Sequence, residues 1–314
     1  MAPLPMLLDC DPGHDDMVAI LLAAGAPEID LRAITTVAGN GTLEAVTRNA
    51  LLTLDLGGIV GVPVAAGAAG PLLGPLQTAP QVHGESALDG AELGEPRGAA
   101  VEATAVELMA EVLRAATEPV ALVAVGPLTN VALLLRTHPE LREAIGRIVA
   151  MGGSAGAGNV APLAEFNVLC DPEAAHVVLH SGVDVTLCPL DVTHQALAAP
   201  EVLAGLTALG TPLARTVVEL LGFFADRYRE LWGFVAAPVH DPVAVACVLD
   251  PGLVGTERVN VEVELRGEHT RGATVIDRAH VTGRAPNAEV AFDLDAAGFW
   301  RRVTAAVERL GGPR

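Results

Sequence analysis

Asp9-Cys10-Asp11-Pro12-Gly13-His14-Asp15-Asp16 carries four carboxylates within eight residues. The run PMLL, residues 5–8, precedes it, and DDMVAILLAA, residues 15–24, continues from it. The first reads as a buried strand and the second as a helix with an acidic first turn. In open α/β sheets ligands bind at the carboxyl ends of strands, which is where this cluster falls. Helix capping accounts for Asp15 and Asp16, because acids suit the positive end of the helix dipole. It does not account for Asp9 and Asp11, which arrive from the strand. Such crowding of like charge is costly unless a cation or a proton offsets it. Hard oxygen ligands favour Ca²⁺ or Mg²⁺.

Working outward, short apolar runs alternate with helical patterns along the chain. Residues 29–37, 62–65, 120–125, 147–151 and 183–188 read as strands. Residues 43–56, 104–116, 130–136, 171–180, 200–209 and 212–228 read as helices. The repeated β-then-α order predicts an α/β domain with a mainly parallel sheet and helices on both faces. After residue 255 the texture changes. VNVEVEL (259–265) and ATVID (273–277) predict a β-hairpin, and a last helix is expected from about 295 to 310. Two stretches break the alternation. Residues 66–99 are rich in Gly and Pro, and residues 152–170 are Gly-rich and then apolar with isolated Asn and Glu. Long loops in such domains are often functional. No linker or internal repeat interrupts the chain, so a single domain over 1–314 is expected.

Composition narrows the functional class. The net charge is -19, and only 3% of the 314 residues are aromatic. An acidic surface repels phosphate backbones, so neither nucleic acid nor an anionic membrane is an expected partner. All 19 basic residues are Arg. Cys10, Cys170, Cys188 and Cys247 form no CxxC pair and sit in or beside apolar runs, which reads as buried free thiols. The first residues lack a basic n-region and a signal-like apolar stretch. A cytoplasmic protein with reduced thiols is the expectation.

Small and polar residues recur at the ends of other predicted strands: Thr35 to Asn40, Gly126 to Asn130, and Met151-Gly152-Gly153. Each alone reads as a turn or an N-cap; together they line one rim. Asn159, Glu165 and Asn167 interrupt an apolar stretch, where polar groups must find partners. A polyol substrate would satisfy all three, and so would a self-contained loop. His240-Asp241-Pro242 precedes VAVACVL; Asp241 suits a helix start, and His240 beside it reads equally as a surface residue. His83 and His194 are ambiguous in isolation.

Taken together these motifs resemble the inosine-uridine-preferring nucleoside hydrolases. The resemblance rests on DCDPGHDD at 9–16, ITTVAGN at 34–40, QVHGE at 81–85 and VGPLTN at 125–130. MGG at 151–153, NVAPLAEFNVLCDPEAA at 159–175, DVTHQAL at 191–197 and VHDP at 239–242 extend it over most of the chain. It implies a single Rossmann-like domain, a homodimer or homotetramer, and a ribonucleoside as the small-molecule partner in nucleoside salvage. It also implies a bound Ca²⁺ held by Asp11, Asp16, the main-chain carbonyl of Val125, and Asp241. Ribose would be gripped by Asp15, Asn40, Asn159, Glu165 and Asn167, with Met151 lining the pocket. Asp11 would take the proton of the attacking water and His240 would stand near the leaving base. The expected base contacts are His83 and Tyr228, from the two regions that motif fixes least (66–99 and 223–238), and Phe166 of the AEFN motif. Hydrolysis of an N-glycosidic bond passes through an oxocarbenium-like state. Carboxylates around the sugar and a donor near the base suit that charge distribution.

Two other classes fit part of the pattern. Asp9-Cys10-Asp11 carries the DxD of a haloacid-dehalogenase-type phosphoryl-transfer hydrolase, but such enzymes also need a downstream Lys, and the chain has none. A non-enzymatic nucleoside-binding protein on the same scaffold would be expected to have lost Asp11 or a metal ligand, and every expected position is filled.

Overall fold

The computed structural model describes residues 2–312. Its strands are β1 (Leu4–Cys10), β2 (Ile29–Thr36), β3 (Val64–Ala66), β4 (Val120–Ala124), β5 (Ile145–Met151), β6 (Val185–Cys188), β7 (Val254–Val263), β8 (Thr274–Asp277) and β9 (Ala288–Leu294). Its α-helices are α1 (His14–Gly25), α2 (Leu43–Gly57), α3 (Pro80–His83), α4 (Ala105–Ala115), α5 (Thr129–Thr137) and α6 (Phe166–Cys170), followed by α7 (Pro172–Leu179), α8 (Leu190–Thr193), α9 (Pro200–Ala208), α10 (Pro212–Trp232), α11 (Asp241–Leu249) and α12 (Ala296–Gly311).

The strands form one sheet in the order β3-β2-β1-β4-β5-β6-β9-β7-β8. Strands β1 to β6 run parallel, and β9 joins β6 in parallel. β7 lies antiparallel between β9 and β8. This is a single-domain α/β fold with a mainly parallel sheet, as the alternation of apolar runs implies. The expected hairpin is the β7–β8 pair. β9, which the sequence reading does not contain, joins that pair to the parallel strands. Short helices α3 and α6 also appear inside the two stretches read as loops.

Side chains along β1 alternate between the sheet faces, as a strand's period of two requires. Met6 and Leu8 pack into one core with residues of α1, α11 and α12. Leu7 packs into the other with residues of α4, α5 and α7. Burying each such Leu, Ile or Val stabilises the fold by roughly 1.5–3 kcal/mol. Strand order reverses at β1, which pairs with β2 on one side and β4 on the other. Chains leave β1 and β4 in opposite directions there, which opens a crevice beyond their carboxyl ends. Asp9 and Asp11 at the end of β1, and Val125 just past β4, therefore face one another across a gap made by topology.

Candidate active site

The acidic cluster is built around the turn from β1 into α1. Asp16 Oδ2 accepts the Gly13 N–H at 3.0 Å and Asp16 Oδ1 accepts the Asp11 N–H at 3.0 Å. One carboxylate thereby caps α1 and closes the turn before it. Asp11 Oδ2 accepts the Asn40 N–H at 2.7 Å, and the Asn40 amide donates to the Asp11 carbonyl and to Asp16 Oδ2, both at 3.1 Å. Asp9 is held from below, its Oδ1 accepting from Thr35 Oγ1 at 2.6 Å and Asn130 Nδ2 at 2.8 Å. The backbone comes close around Asp11. A Cβ on Gly39 would lie 2.2 Å from Asp11 Oδ2, and one on Gly126 2.6 Å from Asp11 Oδ1. Both positions require glycine if Asp11 is to stay where it is.

Asp241 arrives from the far side, at the start of α11. Asp15, Asp16 and Asp241 are all buried, and one oxygen of each lies within 4.8 Å of the others. Carboxyl–carboxyl contacts link Asp11 to Asp16 and Asp16 to Asp241. Burial pushes all four acids upward, Asp15 to about 7, and mutual repulsion adds to this for Asp11, Asp15 and Asp241. Among the described residues no basic side chain bonds to these carboxylates. Asp11 Oδ1 and Asp9 Oδ2 are buried with no hydrogen-bond partner among the described residues. Charge balance therefore falls to protons or to a cation. An oxygen-only donor set with an orphaned carboxylate oxygen suits a hard divalent ion. The tight trio contains Asp15 where the sequence reading had placed Asp11 among the ligands; Asp11 stands against it through Asp16.

Beside the cluster opens a narrow cleft. Asp15, Asn40, His83, Val125, Met151, Asn159, Phe166, Asn167, Tyr228, His240 and Asp241 all line it. The structure thus brings nearly every expected site residue to one place. Asn167 Nδ2 donates to the Val125 carbonyl at 2.7 Å and contacts Met151 Sδ at 3.4 Å. Asn159 Oδ1 accepts the Phe166 N–H at 3.0 Å, which braces the loop over the cleft. Glu165 differs from the rest. It caps α6 and sits behind the lining, its carboxylate accepting from the N–H groups of Asn167, Gly153 and Val168 at 2.9, 2.9 and 3.2 Å. Burial still raises it to about 7 against those hydrogen bonds.

The opposite wall is aromatic. Phe224, Tyr228 and Trp232 recur every four residues on α10 and so share one face. Tyr228 meets Phe224 edge-on and Trp232 at a tilt, each at 4.7 Å between centroids. His83, His14 and Phe224 pack as a mutually stacked trio, with centroids 5.2–5.3 Å apart. The His14 Nε2 lies 2.7 Å from the Asp89 carbonyl, which can only accept, so that nitrogen carries the proton. Six of the chain's nine aromatic residues gather here or behind this wall.

His240 joins the two walls. Its backbone N–H donates to Asp15 Oδ2 at 3.2 Å. Its Nδ1 lies 2.7 Å from Thr193 Oγ1 and its Nε2 2.7 Å from the Tyr228 hydroxyl. Burial lowers the imidazole to about 3 and raises the phenol well above its ordinary range, so both are neutral near pH 7. Three neutral groups that each donate and accept form a continuous hydrogen-bonded chain ending at the cleft. Thr193 was not foreseen, although DVTHQAL was singled out, because its contact spans 47 residues. Phe224 and Trp232 were also missed; their four-residue spacing around Tyr228 was the available signal.

The cleft at the switch point thus joins a buried acidic cluster to an amide-lined rim and an aromatic wall. The model of the family described as inosine-uridine preferring nucleoside hydrolase matches residues 6–301. A pyrimidine-specific ribonucleoside hydrolase RihA of Escherichia coli is 52% identical over 297 residues, covering 94% of this chain and 96% of its own. The RihA of Shigella flexneri shows the same identity and coverage. Among solved structures, a purine-preferring ribonucleoside hydrolase from Gardnerella vaginalis superposes with a TM-score of 0.91 at 31% identity, over 98% of this chain and 99% of that one. The chain belongs to the inosine-uridine-preferring nucleoside hydrolase family. It is a ribonucleoside hydrolase, an N-glycosidase by reaction class. Among the described residues no helix is long and apolar enough to cross a membrane.

Proposed function

We propose that this is a calcium-dependent, pyrimidine-preferring ribonucleoside hydrolase that releases free base and ribose. It acts in cytoplasmic nucleoside salvage, as a homodimer or homotetramer whose subunits are each one catalytic domain over 1–314. The observation that carries the metal-dependent reading is the buried carboxylate cluster, with Asp11 Oδ1 left without a protein partner. Asp11, Asp16, Asp241 and the Val125 carbonyl would hold the ion, with Asp15 at its edge. When bound, it would neutralise the cluster and lower the pKa of a nearby water.

The chain's own residues supply the rest. Asp11 Oδ1 is the acceptor for the attacking water's proton. Asp15, Asn40, Asn159 and Asn167 present the donors and acceptors that ribose hydroxyls need, while Glu165 fixes the Asn167 loop from behind. The resulting ring of anionic and amide oxygens favours positive charge growing on the sugar. On the other side the Tyr228 hydroxyl, at the end of the Thr193–His240–Tyr228 chain, would give its proton to the departing base, and the proton that Asp11 takes from the attacking water restores the balance through solvent. Neutral His240 is poised to pass a proton along rather than to hold one. Phe166, His83 and Tyr228 flank the base and exclude water.

Base preference rests on the pyrimidine-specific relatives at 52% identity, against the purine-preferring neighbour at 31%. A panel of uridine, cytidine, inosine and adenosine, with free base and free ribose quantified separately, tests the reading. Uridine and cytidine are expected to be cut fastest, with base and ribose released in equal amounts. Base release without free ribose would overturn hydrolysis, and faster cleavage of inosine would overturn the pyrimidine preference. A buried site built for a hydroxyl rejects an analogue lacking it by roughly 10⁴. 2′-Deoxyuridine should therefore be cleaved far more slowly than uridine.

A further inference from the structure

We propose that His176, His180 and Glu262 form a second metal site, remote from the acidic cleft, for a zinc-type divalent cation. His176 lies on α7, His180 caps its C-terminal end, and Glu262 projects from β7. One ligand atom of each lies within 4.8 Å of the others. Two histidines four residues apart share a helix face, a spacing suited to binding one ion. Imidazole nitrogens with a carboxylate suit a borderline transition metal rather than calcium.

The hydrogen bonds around the cluster prepare its donors. His180 Nδ1 lies 2.9 Å from the His176 carbonyl, which can only accept, so Nδ1 carries the ring proton. Its Nε2 then faces Glu262 Oε2 at 3.2 Å. Two lone pairs cannot face each other at that distance without a second ring proton or a cation near them. The tilted His176 ring lies 4.2 Å from that of His180, centroid to centroid. A bound cation would use both rings in their neutral forms. Arg284 stands 3.6 Å from the other Glu262 oxygen, Oε1, and orients the carboxylate from outside.

Donors around a tetrahedral zinc sit about 3.4 Å apart, which follows from bonds near 2 Å. The His180–Glu262 pair already has that spacing. The half-buried His176 ring closes the set by a small side-chain rotation, and water supplies the fourth ligand. The ion would clamp the end of α7 onto the sheet. The N-terminal end of α7 follows directly on α6, which carries Asn167 of the cleft.

The test is calorimetric titration of Zn²⁺ into the full chain kept saturated with Ca²⁺, with bound calcium measured before and after. The wild type is expected to take up one zinc per chain while retaining its calcium. His180→Ala and Glu262→Gln should each weaken that binding by about tenfold or more, with zinc-free uridine hydrolysis unchanged in both. Unchanged hydrolysis shows that a variant is folded. If one fails that check, the other and His176→Ala carry the comparison. Equal zinc affinity in wild type and the folded variants would overturn the proposal. So would uptake of zinc only in exchange for calcium, or no uptake at all.

Discussion

Asp11 Oδ1 is a carboxylate oxygen in a wholly buried position, ringed by Asp15, Asp16 and Asp241, and it accepts no hydrogen bond from the described residues. A group so placed costs stability, and it persists where function uses it. Asp11→Asn keeps the shape and one oxygen but removes the charge and most of the basicity. The expected result is a fall in kcat of roughly 10² or more. Part of the metal should be retained, because Asp15, Asp16 and Asp241 remain. Elemental analysis, ribose affinity and kcat measured on one preparation check this. A near-normal kcat would place water activation elsewhere. At this scale the sequence was most informative. Asp11 stood out because an acid leaving a buried strand has few structural explanations, whereas Asp16 and Asp241 each read as helix caps and were set beside it only by the resemblance. The capping duty of Glu165 was less legible, since a carboxylate that binds backbone amides and one that binds hydroxyls leave the same trace in a sequence.

The longest helix, α10, carries an aromatic face into the cleft, and Tyr228 sits at its centre with its hydroxyl on His240. Tyr228→Phe keeps the ring packing and cuts the proton chain at its last hydrogen bond. Uridine cleavage is expected to fall by about 10²-fold, the lower reach of proton-transfer effects. A riboside whose leaving group is stable as an anion, such as p-nitrophenyl riboside, should be cleaved almost as well as by wild type. Equal losses on both substrates would show that the hydroxyl serves packing or substrate binding instead. The sequence reading placed a helix over this stretch but stopped it at residue 228, one turn short of Trp232. Two of the four residues that end α10, RELW, are charged, and the apolar signal continues there only through Trp232, four residues after Tyr228. Strand β9 escaped for a related reason. It lies beside the antiparallel β7, and its AEVAFDL alternates only loosely.

The molecule as a whole is a parallel sheet whose switch point holds four buried acids, and this couples charge at the site to global stability. Burial and mutual repulsion raise these carboxylates, Asp15 to about 7 from an ordinary value near 3.8. A carboxyl raised in the folded state favours folding fully below its unfolded pKa. That contribution is lost as pH rises through the folded pKa. Protein stripped of divalent metal is therefore expected to unfold at a lower temperature at pH 8 than at pH 5.5. Calcium should raise the melting temperature more at pH 8, where it replaces the missing protons. Melting curves at the two pH values, with and without calcium, read this directly. A calcium effect that did not grow with pH would contradict it. The α/β class was legible at this scale because most β-then-α steps left a periodic mark, although the short helices α3, α6 and α8 did not. How the distant Thr193, Tyr228 and His240 meet was not, because that depends on the path of α8 and α10 over the rim.

The most direct test of the metal-dependent mechanism is uridine hydrolysis by one preparation before chelation, after dialysis against a chelator, and after Ca²⁺ is restored. Metal content is measured at each stage. Rate and calcium are expected to fall together and to return together, at about one ion per chain. Undiminished release of uracil and ribose by metal-free protein would contradict the account.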